Sequence, residues 1–116
     1  MHDILPVDQP AWEKIRKATR TVADFYNFKR IDVPLVERIE LFERGVGEGT
    51  DVVEKQMFTI TTKGKERLAL RPEGTAGIAR SLIEHSLSQL GSPLKVYFDG
   101  PMFRYEQPQA GRYRQF

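Results

Sequence analysis

Turn residues divide the second half of the chain into pieces that leave little choice of secondary structure. Between Met57 and Phe116 the breaks fall at Lys63-Gly64-Lys65-Glu66, Arg71-Pro72-Glu73-Gly74-Thr75, Gly91-Ser92-Pro93, Gly100-Pro101 and Gln107-Pro108-Gln109-Ala110-Gly111. Pro locks φ and removes a donor, and Gly punctuates regular structure, so helices and strands stop at such points. The pieces at 57–62, 67–70, 95–99, 102–106 and 112–116 are of strand length. Only the stretch after Thr75, with Ile78, Leu82, Ile83 and Leu87 on one side, is long enough for an amphipathic helix. Short turns between strands make hairpins, with Gly64 in the turn of the first.

The first half reads differently. Two prolines in Asp3-Ile4-Leu5-Pro6-Val7-Asp8-Gln9-Pro10 favour an extended arm, after which Trp12, Ile15, Val22 and Phe25 take helical spacing over about 9–27. Asp8 is the expected cap, Pro10 fits the first turn, Asn27 is the expected stop, and Trp12 with the other aromatics reads as core. Arg30 to Glu37 alternates, but Pro34 cannot donate to a ladder, which predicts an edge strand or a strand ending at an interface, a candidate dimer edge. A short helix over 37–44 (Ile39, Leu41, Phe42) gives way to Gly45-Val46-Gly47-Glu48-Gly49-Thr50-Asp51, which matches neither phosphate-binding glycine fingerprint and reads as a flexible loop or, second, a substrate lid. Asp51 and Glu54 predict a brief turn at 51–56. The expected fold is one α+β domain over 1–116, a mainly antiparallel sheet flanked by helices.

Composition narrows the chemistry. Eighteen Lys+Arg against 16 Asp+Glu leave a net charge of +2, too small an excess to name a partner. The absence of cysteine excludes disulfides, thiolate zinc sites, iron–sulfur clusters and thiol nucleophiles, and two histidines exclude a histidine-rich metal site. His85, beside Glu84 on the second helix, reads as a surface residue rather than a base. No run reaches the roughly 18 apolar residues of a membrane helix, and the start lacks a basic region followed by an apolar one, so a cytoplasmic protein with no membrane partner is expected. Guanidinium, ammonium, carboxylate, hydroxyl and backbone amide groups remain, which suit anionic substrates.

The last hairpin collects such groups. Strand alternation puts Arg104 and Glu106 on one face, and Arg112, Arg114 and Phe116 on one face of the return strand. A register that joins the two faces makes a nucleotide-shaped set: forks for phosphate, a carboxylate for an exocyclic amine and a ring for a base. The plainer alternative is a wet hairpin with cross-strand Arg–Glu pairs. Three arginines facing one carboxylate count against it, because like charges repel unless an anion joins them. At the helix start, Glu73 and Thr75 either grip the ammonium of an amino acid or merely cap the helix.

Leu70-Arg71-Pro72-Glu73-Gly74-Thr75, Gly100-Pro101-Met102-Phe103-Arg104-Tyr105-Glu106 and the run from Pro108 to Phe116 resemble the histidyl-tRNA synthetase family over essentially all 116 residues. The Pro34 strand resembles motif 1 of class II synthetases, and Phe103-Arg104-Tyr105-Glu106 with Arg112 and Phe116 resembles motif 2. The resemblance implies that Arg104 is the catalytic residue, contacting the ATP α-phosphate and the histidine carboxylate. It implies that Glu106 reads the adenine amino group, Arg112 holds the γ-phosphate end, and Phe116 stacks on adenine. Glu73, Gly74 and Thr75 would bind the α-amine of L-histidine, and Arg114 is assigned no ligand. Gln107 stands where the family more often has arginine, which puts a loop role in steering ATP and tRNA in doubt.

The implied activity is histidine activation by ATP to histidyl-adenylate, then transfer to tRNA(His), in a cytoplasmic homodimer. Magnesium (Mg2+) is expected on the ATP phosphates, with no dedicated metal site from the protein. Motif 3, the imidazole-recognising residues and the anticodon-binding domain are absent from the sequence, so it is expected to be a truncated N-terminal part of an incomplete class II catalytic fold, inactive or partly active alone. One rival is the synthetase-like regulatory subunit of ATP phosphoribosyltransferase, which need not keep the ATP arginines. A bare dimerisation module is the other.

Overall fold

The apolar spacing of Trp12, Ile15, Val22 and Phe25 folds as helix α1, Gln9–Phe25, with Pro10 in the first turn. The computed structural model describes residues 3–46, 56–107, 109–111 and 113–116. The Asp8 carboxylate does not cap α1; its Oδ2 accepts from the Leu5 N–H at 3.2 Å. Asn27 follows the helix with φ at 58°, a left-handed value that asparagine tolerates and that turns the chain. The expectation that the aromatics of α1 are core is corrected. Ala23 is its buried residue, while Trp12 is 42% and Phe25 80% exposed. An amphipathic stripe is buried only where another element covers it, and α1 has little cover along its length. The radius of gyration, 16.3 Å, exceeds the roughly 13 Å of a compact chain of this size.

Pro34 splits the single strand expected over 30–37 into two. Strand β1, Lys29–Arg30, pairs in parallel with β5, Val96–Tyr97, in the register Lys29↔Val96 and Arg30↔Tyr97. Strand β2, Val36–Arg38, lies at the edge of a three-stranded antiparallel sheet whose order is β2-β4-β3. Strand β3 is Thr59–Thr61 and β4 is Arg67–Leu70; they form the expected first hairpin, paired Thr59↔Ala69 and Thr61↔Arg67. Its left-handed residue is Lys65, with φ at 63°, rather than Gly64. Helix α2, Ile39–Val46, follows β2, and helix α3, Thr75–Glu84, follows β4. A 3-10 turn at Leu87–Leu90 replaces the last turn expected of α3.

The core lies between α2, α3 and the three-stranded sheet. Ile39, Phe42, Met57, Ala69 and Ala76 form one buried cluster, in which Phe42 and Ala69 are wholly inaccessible. Close approach of α3 requires Gly77, where a Cβ would stand 3.2 Å from Val33 Cγ2. Arg80 of α3 reaches Glu37 of β2, its Nη2 lying 2.6 Å from Oε1, and this pair fastens helix to sheet edge. The architecture is α+β, a mainly antiparallel sheet with helices beside it and one parallel pair. The turn expected at 51–56 and most of the glycine loop lie outside the described residues.

Candidate active site

The last hairpin has the register needed to join its two faces. Met102 and Phe116 exchange backbone hydrogen bonds of 2.8 and 3.1 Å, Arg104 N–H donates to the Arg114 carbonyl at 2.9 Å, and Phe103 bridges Gln115. Directly opposed residues share a face, so Met102, Arg104, Arg114 and Phe116 belong to the same side. Period-2 alternation assigns Glu106 to that side as well. Arg112 lies outside the described residues.

The regular strands expected over 102–106 and 112–116 are not formed: the two arms are extended segments joined by the isolated bridge between Phe103 and Gln115, and the outer edge of the first arm bonds to residues flanking the three-stranded sheet. Phe103 N–H donates to the Arg71 carbonyl at 3.0 Å, and Tyr105 N–H to the Gln56 carbonyl at 2.7 Å. The hairpin thereby stands next to the turn at 72–74 that opens α3.

Glu73 in that turn spans the helix start: its Oε1 accepts from Ala76 N–H at 2.8 Å and its Oε2 from Thr75 N–H. Gly74, the N-cap residue, has no side chain to do this, so the preceding carboxylate satisfies two of the free amides and favours the helix dipole. Capping, one of the two roles open to Glu73 from sequence, is therefore present. Each carboxylate oxygen keeps acceptor capacity beyond its one amide, so capping leaves room for an ammonium group. Gly74 is buried against Phe98 and Met102; a Cβ there would stand 3.1 Å from Phe98 Cδ1. Thr75 is exposed.

Arg104 is half-buried, with Nε donating to the Pro72 carbonyl at 3.2 Å, which directs its guanidinium toward the side shared with Phe116. The guanidinium carbon lies 5.5 Å from the Phe116 ring centroid, within cation–π range, and the ring remains 56% exposed. The expected gathering of arginines against Glu106 is only partly present. Arg114 turns along the strand: its Nε donates to the Glu106 main-chain carbonyl at 3.2 Å and its guanidinium lies 4.9 Å from the Tyr105 centroid. Among the described residues no ion pair joins the Glu106 carboxylate to Arg104 or Arg114. His85 is exposed at the end of α3.

Arg71, which in sequence lies in a polar break, also belongs to this region. It is 4% exposed. Its Nε donates to the Pro101 carbonyl at 2.9 Å and its Nη1 to the carbonyls of Val33 at 2.6 Å and Pro34 at 3.4 Å. The guanidinium lies 4.4 Å from the Phe98 centroid. Burial lowers its pKa from the ordinary arginine value and the charge of Asp32 opposes this, but an arginine remains charged under such conditions. The one available signal was position: Arg71 continues the strand of Leu68, Ala69 and Leu70 into the interior.

Hairpin, sheet and helix start together have the architecture of an aminoacyl-tRNA synthetase domain; the apo histidyl-tRNA synthetase of S. aureus superposes on all of this chain with a TM-score of 0.80 at 39% identity. A family model described as histidyl-tRNA synthetase matches residues 1–116, and the chain belongs to that family. It is 52% identical over 115 residues to a histidine–tRNA ligase of Staphylococcus epidermidis, covering 98% of this chain and 27% of that protein. The S. aureus structure is likewise covered over 29% of its length. A structure from Bacillus halodurans, described as an ATP phosphoribosyltransferase regulatory subunit/histidyl-tRNA synthetase, matches all of this chain at 25% identity with a TM-score of 0.79. The chain thus spans little more than a quarter of the curated relatives it matches.

Proposed function

We propose that this chain carries ATP- and histidine-binding groups of a histidine–tRNA ligase. The observation that carries the reading is the bond from Arg104 Nε to the Pro72 carbonyl, which fastens the candidate nucleotide hairpin to the residue before Glu73. A phosphate held by Arg104 and an ammonium held by Glu73, Thr75 and the Gly74 backbone would then lie on adjoining pieces of backbone.

In the proposed reaction the histidine carboxylate oxygen forms a bond to the α-phosphorus of ATP while the bond from that phosphorus to the bridging oxygen breaks. Pyrophosphate takes the electron pair and leaves. Nothing in this step requires a side chain to accept a proton, so positioning and charge stabilisation supply the catalysis. Arg104 stabilises charge on the α-phosphate, Phe116 offers an open ring to adenine, Glu106 accepts from the adenine amine, and Arg112 meets the γ-phosphate end. A hydroxyl of the terminal ribose of tRNA(His) then attacks the adenylate carbonyl and loses its proton, and AMP leaves with the electron pair of the broken C–O bond.

Magnesium commonly binds through substrate phosphates and one or two carboxylates. Among the described residues no group of three or more His, Cys, Asp or Glu could hold a metal ion. Mg2+ would be held chiefly by ATP oxygens, where it would neutralise phosphate charge. No helix among the described residues is long and apolar enough to cross a membrane. A cytoplasmic homodimer is the proposed setting, with the Pro34 segment and its neighbour β2 at the dimer edge.

Histidine-dependent exchange of pyrophosphate into ATP by the full-length gene product is the test. Exchange is expected; histidine binding without exchange would assign the protein to the regulatory-subunit reading instead. Single-turnover charging of tRNA by the 116-residue chain alone is expected to be far below the full-length rate.

A further inference from the structure

Arg71 is buried deeply, yet among the described residues no carboxylate forms an ion pair with it. If filling space were its whole purpose, an apolar side chain of similar volume would avoid removing a charge from water. What an apolar side chain lacks is direction. The guanidinium is a rigid planar fork, able to hold several acceptors at set angles, whereas lysine offers a compact point charge on a flexible stem.

The acceptors of Arg71 lie on two separate segments. One is Val33-Pro34, which leads into β2; the other is Pro101, three residues before Arg104. Its main chain extends the same lacing: Arg71 N–H donates to the Leu35 carbonyl at 2.9 Å and its carbonyl accepts from Phe103 N–H at 3.0 Å. The neighbours leave space for this group and little else. A Cβ at Gly100 would stand 2.8 Å from Arg71 Nη2 and 2.9 Å from Phe98 Cζ. Phe98, with Arg71 over its ring, also packs against Gly74 in the turn that carries Glu73.

We infer that Arg71 is a positioning residue, whose buried fork sets the distance between the turn holding Glu73 and the hairpin arm holding Arg104. This rests on the reading of those two residues as substrate groups. It adds that their spacing is governed by a side chain that touches neither substrate, and that the same side chain ties this spacing to the Val33-Pro34 segment.

Arg71→Lys and Arg71→Met in the full-length gene product test it, with Phe42→Leu as a variant of the core cluster, which does not include Arg71. At a temperature where all remain folded by circular dichroism, Arg71→Met is expected to lower kcat for pyrophosphate exchange by about 10- to 100-fold, as small misplacements of reacting groups do. Arg71→Lys should recover little of this, and Phe42→Leu should leave kcat within about threefold of wild type. Amide hydrogen exchange supplies a readout that needs no activity. In Arg71→Met the amides of Phe103, Arg104, Thr75 and Ala76 should exchange faster, with those of β3 and β4 unchanged. Unaltered protection at these four amides overturns the inference, whether or not the wild type is active. So does a wild-type kcat in Arg71→Met. Absence of exchange activity in the wild type would count against the proposed function, leaving the amide result to decide the role of Arg71.

Discussion

Arg104 Nε donates to the carbonyl oxygen of Pro72, so the arginine on the last hairpin is anchored to the chain one residue before Glu73. One nitrogen of the guanidinium serves the scaffold, while the group as a whole faces the side of the hairpin shared with Phe116. Arg104→Ala removes both the anchor and the charge. Its kcat for pyrophosphate exchange should fall by on the order of 10²- to 10³-fold, the loss seen when one preorganised charge-stabilising donor is removed. Histidine-dependent exchange by the full-length gene product measures it.

Glu73→Gln separates capping from ligand binding. Replacing one carboxylate oxygen by an NH2 sets a donor against a helix amide, and the lost cap should cost about 1 kcal/mol in denaturant unfolding. The KM for histidine should rise by roughly tenfold or more, the cost of losing a hydrogen bond to a charged group, while the KM for ATP stays near wild type. Equal rises in both would assign Glu73 to the scaffold alone.

Phe116→Ala should act on the nucleotide. Aromatic stacking on a base contributes about 1–3 kcal/mol, so the KM for ATP should rise by roughly ten- to a hundredfold with the histidine KM little changed.

Gly100 and Gly64 should respond unequally to a single methyl group. At Gly100 the new Cβ meets Arg71 Nη2 and the Phe98 ring inside 3.0 Å, and overpacking of this kind costs about 1–3 kcal/mol. At Gly64 the nearest atom is Thr62 Oγ1, at 3.7 Å, and Gly64→Ala should stay within about 0.5 kcal/mol of wild type. Paired urea unfolding curves compare them.

Arg80 stands between Glu37 and Glu84, whose surroundings differ. The Glu37 side chain is 13% exposed and that of Glu84 54%. Glu84→Gln should cost less than about 0.5 kcal/mol, as exposed pairs do, whereas Arg80→Gln strands a mostly buried carboxylate and should cost about 1–3 kcal/mol. Thermal unfolding of the two variants gives the comparison.

The helix at Gln9–Phe25, the β3–β4 hairpin and the shared face of Arg104 and Phe116 could all be read from residue spacing. The side on which Arg114 ends could not. Its backbone position follows from alternation, but its long side chain bends to the Glu106 carbonyl and the Tyr105 ring, contacts that spacing does not encode. Trp12 misled for a related reason: periodicity identifies an apolar stripe, and burial depends on what else reaches it.

Covalent geometry repeats along the chain, so a turn residue, a period of two or a period of 3.6 has the same local meaning wherever it occurs, and this was enough for helix α1, the β3–β4 hairpin and the face shared by Arg104 and Phe116. Long-range meetings have no such period. The parallel pairing of Lys29 with Val96 brings together distant segments, as do the reach of Arg71 to Val33 and Pro101, 38 and 30 positions away, and the wedge of Phe98 beneath Gly74. Each arises because several buried surfaces must fit at once and every buried donor must find an acceptor. In sequence Arg71 is a charged residue beside a proline; in the folded chain it joins the segments on which the candidate site stands.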